Sequence, residues 1–266
     1  RGLLPSSAMG SVPVMVAMFF LCMMIGCISL LLTLQAEASG WKGASLGTLL
    51  SLSTAVGFVV LFIAPMLLAR FSLKPYLSGA AAIIVLLMFL PILGGGAFYS
   101  WLGVEVGRAA LMVPMYLIFD LWLYNRTPEK EQARIFTLYN LACLSGFALG
   151  PVVIASIGLS YWALGLCMLL TLLGIVPVLL SKAPRMEIET PSLACLGKVL
   201  KKCRFIWLAA FLAGFCGESV VDFAGMMGLA NGMASSQALM LFFWFIAGGL
   251  VLQYPLSIYM DRLPKR

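Results

Sequence analysis

Long uninterrupted apolar runs leave a chain few choices, because each must be wrapped in a large core or placed in lipid. A helix that crosses the hydrocarbon layer takes about 20 mostly apolar residues. Eight stretches meet that rule here, at about 12–34, 44–69, 76–93, 97–123, 133–157, 160–181, 205–229 and 236–260. Lipid offers no water to backbone N–H and C=O groups, so such runs form helices, which satisfy those groups internally. The reading is an all-α integral membrane protein with eight transmembrane helices and no soluble domain. Composition agrees: 62% of the 266 residues are hydrophobic and 10% are charged, against about a quarter charged in soluble proteins. Ala36-Glu37-Ala38 imitates a signal-peptide cleavage site, but the run before it is longer than a signal core of about 7–15 residues.

Basic residues sort to alternate loops. One side holds Arg1, Arg70, Lys74, Arg126, Lys130, Arg134, Lys182, Arg185, Lys198, Lys201, Lys202, Arg204, Arg262, Lys265 and Arg266, which is 15 of the 17. The other side holds Lys42, and Arg108 falls within a span. Lys and Arg concentrate in cytoplasmic loops, so the N-terminus is expected inside, in a cell inner (plasma) membrane. Asn125-Arg126-Thr127 then matches a glycosylation sequon on the wrong side. The positive charges come in short segments between apolar runs rather than on one continuous face, which argues against nucleic acid as a partner.

Several chemistries are disfavoured. There is no histidine, which removes the commonest metal ligand and the commonest neutral-pH base. The cysteines (22, 27, 143, 167, 195, 203 and 216) form no C-x-x-C, so neither a zinc site nor a disulfide framework is indicated, and they read as small buried hydrophobes. No G-x-x-x-x-G-K-[ST] is present for ATP use. No cofactor and no metal are expected.

The segment from Arg126 to Pro151 carries the densest charge cluster between two spans. Thr127 before Pro128 predicts a helix start. Gly146, Gly150 and Pro151 make a G-x-x-x-G-P, whose two small residues one turn apart let another backbone approach closely in lipid. A basic loop, a helix with Arg134 and Tyr139 near its start, and this GxxxGP together resemble the helix four to five region of major facilitator superfamily transporters. Asp120-Leu121-Trp122-Leu123 is similar to the helix-four ending of a bacterial, YcaD-like branch. Tyr254 to Arg266, with Asp261-Arg262 at its centre, resembles the superfamily's G-x-L-x-D-R-x-x-R-[RK] loop motif, with Ser257 in place of its first glycine. At the matching turn between spans two and three, alanine replaces the motif's aspartate, so Arg70 and Lys74 are read as anchors.

The resemblance implies a major-facilitator-type bundle of twelve helices. Residues 1–181 would be the N-terminal six-helix half, 182–204 a cytoplasmic linker between halves, and 205–266 the first two helices of the second half. The chain starts with Arg1 rather than Met and shows two helices after the linker, so a fragment is expected, monomeric when full length.

Ionisable residues within spans are costly and face a partner or a water-filled cavity. Glu105 and Arg108 lie one turn apart on span four, and Met112, Tyr116 and Phe119 continue their face. They can line a solute cavity, or the pair can neutralise itself against packed core. Asp120 lies near the cytoplasmic end, where Arg126 and Arg134 offer a gating ion pair; a solvated carboxylate is the alternative. Glu218 and Asp222 are like charges one turn apart, so at least one should hold a proton, unless both are hydrated at the surface. The expected function is a secondary active transporter that moves a small solute by alternating access, with protons as a coupling partner. A non-transporting receptor or scaffold of the same fold is the alternative. An intramembrane enzyme ranks lower, since no nucleophile and base come together.

Overall fold

The computed structural model describes residues 8–182 continuously, then 201–206, 208–209, 211–214, 216, 227–228, 231–233, 237, 241, 243–249, 251 and 259. The described residues contain helices and no strand. In order, these are α1 (Ala8–Ala38), α2 (Gly43–Arg70), α3 (Leu73–Leu87), α4 (Phe89–Leu93), α5 (Phe98–Arg126), α6 (Gln132–Ile157) and α7 (Tyr161–Leu180). With α3 and α4 counted together, six helices are long and apolar enough to cross a membrane. The chain is thus a multi-pass, all-helical membrane protein. The expected spans at 205–229 and 236–260 fall largely outside the described residues, as do Glu218, Asp222, Asp261, Arg262 and residues 183–200 of the linker.

Chain ends and turns follow local chemistry. After α1, the Gly40 N–H bonds the Glu37 carbonyl and the Trp41 N–H bonds the Ala36 carbonyl at 2.8 Å. This is the Schellman closure, and Gly40 at φ 65° supplies its left-handed residue. At the start of α7 the Ser160 hydroxyl accepts from the Ala163 N–H, a side-chain N-cap. The third span divides at Met88. Pro91 lacks an N–H and its ring crowds the carbonyl four residues back; that residue is Leu87, where α3 ends.

Thr127 departs from expectation. It closes α5 instead of opening α6, with an extended backbone at φ −101°, ψ 122°. Its buried hydroxyl caps nothing. Pro128 is also extended, and the charged residues Glu129–Glu131 make one 3-10 turn before α6 begins at Gln132. Pro128 keeps its own ψ at 143°, outside helical geometry, so the first helical position after Thr127 is not helical and the cap signature at 127 has no helix to cap.

Packing places α1 at the centre and α2 at the edge: 61% of the most apolar window of α1 is buried, against 17% for α2. α1 packs chiefly on α6 and α7, α2 on α5, and α3 on α5 and α7. Outward faces carry large apolar side chains such as Phe58, Phe62 and Met66 on α2 and Leu172 and Val176 on α7, as lipid requires.

The tightest contact is between α1 and α6. A Cβ added at Gly146 would strike the Phe19 carbonyl, and one at Gly150 would lie 2.5 Å from the Met23 carbonyl and 2.6 Å from the Cys27 nitrogen. On the opposite helix, a Cβ at Gly26 would strike the Phe147 carbonyl and come within 3.1 Å of the Pro151 ring. Pro151 has no N–H to give that carbonyl, and Gly26 leaves room for it. Cys27 then donates its thiol to the Gly150 carbonyl at 3.5 Å.

Candidate functional site

The site is built on α5, α6 and α1. Glu105 and Arg108 on α5 form an ion pair one helical turn apart, with side chains 3% and 15% exposed respectively. The apolar neighbours Trp101, Val104 and Met112 are buried around the same helix. A carboxylate so deeply enclosed persists only with a cation beside it, because desolvation of a lone charge is prohibitive.

From this pair a line of polar groups runs through the bundle. The Arg108 charge is felt at both Cys22 and Tyr116, and Tyr116 and Cys22 also interact electrostatically with one another. The Cys22 and Cys143 sulfurs are 2.9 Å apart. Farther along α6, one turn from Cys143, Tyr139 lies close enough to Asp120 on α5 for the two side chains to interact electrostatically. Asp120 is exposed. At 1.5 Å per residue, Glu105 and Asp120 are about 22 Å apart along α5, most of the roughly 30 Å hydrocarbon thickness. Carboxyl, guanidinium, phenol and thiol groups therefore follow one another across the bundle. Such groups can orient a small polar solute or pass a proton; an apolar core does neither.

The candidates read from the sequence separate at this point. Glu105, Arg108, Tyr116 and Asp120 belong to the line. Met112 and Phe119, on the same stripe, are fully enclosed in the apolar core. Gly146, Gly150 and Pro151 stand beside the site and hold α6 against α1. Arg126 is occupied elsewhere: it donates to the Lys182 carbonyl at 2.6 Å and stacks over the Trp122 ring. Lys74 donates to the Leu179 carbonyl at 2.7 Å. Both cations thus stand at the C-terminal end of α7, Lys74 on a carbonyl of its last turn and Arg126 on one just past it, where the helix dipole favours positive charge. Arg134 lies on the first turn of α6.

Tyr139 and the two thiols are members that sequence reading assigned no part in the site. The signal lay in register: Cys22 precedes Gly26 by four residues and Cys143 precedes Gly146 by three, so glycines that join the helices also set the thiols face to face. Among the described residues, no three His, Cys, Asp or Glu side chains gather as metal ligands. Compared with known proteins, the chain matches no family model and no curated protein.

Proposed function

We propose that this chain serves secondary active transport of a small solute by alternating access, with a proton as the coupling ion. The observation that carries the reading is the enclosed Glu105–Arg108 pair, continued by Tyr116, the thiol pair, Tyr139 and Asp120 across three helices. A bundle that only anchored other domains would have no use for such a line, whose charged members are expensive within lipid. The six described spans would form the N-terminal half of a major-facilitator-type architecture, with the basic loops and the N-terminus on the cytoplasmic side of the inner membrane. Glu218 and Asp222 stay with the proposal as further proton-binding candidates, and Asp261 and Arg262 as loop residues.

The test is proton movement driven by solute in sealed vesicles containing the full-length protein and a trapped pH indicator, screened across small polar and amphipathic solutes. Solute-dependent proton flux that collapses in Glu105→Gln supports the reading. Saturable binding with no flux would identify a receptor, and turnover of lipid would identify an enzyme; either result ends the transport proposal.

A further inference from the structure

We infer that Cys22 and Cys143 form a peroxide-responsive thiol pair which closes to a disulfide and clips α1 to α6 near the middle of the bundle. The inference rests on the geometry of these two helices and stands apart from whether the protein moves a solute.

The sulfurs are 2.9 Å apart, and a disulfide bond is about 2.05 Å long, so less than about 1 Å of approach completes the bond. The helices cannot easily part. Gly26, Gly146 and Gly150 set the two backbones in contact immediately beside the thiols, and side chains in a close-packed interior have little room to swing away. The pair also differs in access. Cys22 is 2% exposed, while Cys143 is half-buried. A small uncharged oxidant therefore reaches Cys143 first, and Cys22 waits behind it. The Arg108 cation beside Cys22, with the Tyr116 hydroxyl, makes this the polar part of an otherwise apolar interior.

The chemistry balances with hydrogen peroxide as the oxidant. The Cys143 sulfur attacks one peroxide oxygen, so the O–O bond breaks, an S–O bond forms and water leaves; sulfur has lost two electrons and peroxide has gained them. The Cys22 sulfur then attacks the Cys143 sulfenic acid. An S–S bond forms, the S–O bond breaks, and the departing hydroxide takes the Cys22 proton to leave as a second water. This is the reversible branch of thiol oxidation, in which a neighbouring thiol intercepts the sulfenic acid before further oxidation.

The experiment treats the purified protein, first reduced and freed of reductant, with hydrogen peroxide, then alkylates remaining thiols under denaturing conditions and maps the peptides by mass. Exposed Cys216 reports in the same sample that peroxide acted. The expected product is a peptide pair joined through Cys22 and Cys143, lighter by two hydrogens and restored by dithiothreitol. In Cys22→Ser, which keeps Cys143 accessible, a 1,3-diketone should capture the sulfenic acid at Cys143. In Cys143→Ser, Cys22 should remain alkylatable. Consumption of Cys216 with both Cys22 and Cys143 still alkylatable overturns the inference. So does a sulfinic acid at Cys143 in the unsubstituted protein with Cys22 intact, since the thiols would then be too far apart to meet.

Discussion

Single side chains at this site are tested best by substitutions whose outcomes separate one physical cause from another. Glu105→Gln leaves the Arg108 guanidinium without its carboxylate in an enclosed position, so a loss of about 3 kcal/mol is expected. Glu105→Gln with Arg108→Gln removes both charges and should cost less than the first change alone. Equal costs, measured by unfolding in a denaturing detergent series, would show that the two charges do not depend on each other. Gly146→Ala drives a methyl into the Phe19 carbonyl, an overpacking expected to cost about 1–3 kcal/mol. Gly165→Ala on α7 meets nothing within 4 Å and should be neutral or stabilising by up to about 1 kcal/mol; similar losses for the two would remove the close-approach explanation. The Thr127 hydroxyl is buried without a partner, so Thr127→Val should keep or raise stability, whereas a true N-cap would lose about 1 kcal/mol. At this scale the sequence announced some residues and concealed others. Glu105 and Arg108 were legible because charge in an apolar run is conspicuous. Cys22, Cys143 and Tyr139 were not, because each is ordinary within its own helix and acquires meaning only when another helix is laid against it.

The six described spans were legible almost to their ends, since lipid makes hydrophobic length and helix nearly the same thing. What hydropathy could not reveal was where a helix is interrupted without becoming polar. Residues 76–93 read as one apolar run, and the division between α3 and α4 comes from Pro91 acting on Leu87. Pro91→Ala restores an N–H and relieves that crowding, so the helix should run through Met88. Slower amide exchange over residues 88–91 is the expected sign, and unchanged exchange would assign the break to the packing of Leu87 against Gly107 instead. The misplaced start at Thr127 has a similar origin: the same residue types cap helix beginnings and fill the turns between helices.

At the scale of the whole molecule, the six spans of the described residues are joined by short loops and so alternate in direction, and the proposed orientation has a direct check. In a cysteine-free background, Lys42→Cys should react with an impermeant thiol reagent added outside intact cells, and Lys130→Cys should react only after the membrane is opened. Both positions are exposed. The reverse pattern would invert the protein and move the basic loops outward. Which span neighbours which was not legible, because all six are apolar on several sides and periodicity favours no single face. Small residues supplied a partial clue on α6 without naming α1 as the partner.

The central position of α1 carries a consequence for biogenesis. α1 is the first of these helices to leave the ribosome, yet its chief neighbours are α6 and α7, and the Cys22–Cys143 contact spans 121 residues of chain. At a synthesis rate of about 5–20 residues per second, α1 waits roughly 6–24 seconds before its glycine-lined partner exists. During that interval its face of small residues around Gly26 has only lipid, the insertion machinery or the helices α2–α5 for company. Proper assembly is thus a matter of delayed recruitment: α1 is made well before the helices that enclose it, and a ribosome stalled between α5 and α6 leaves a nascent protein whose eventual axis has not yet been enclosed.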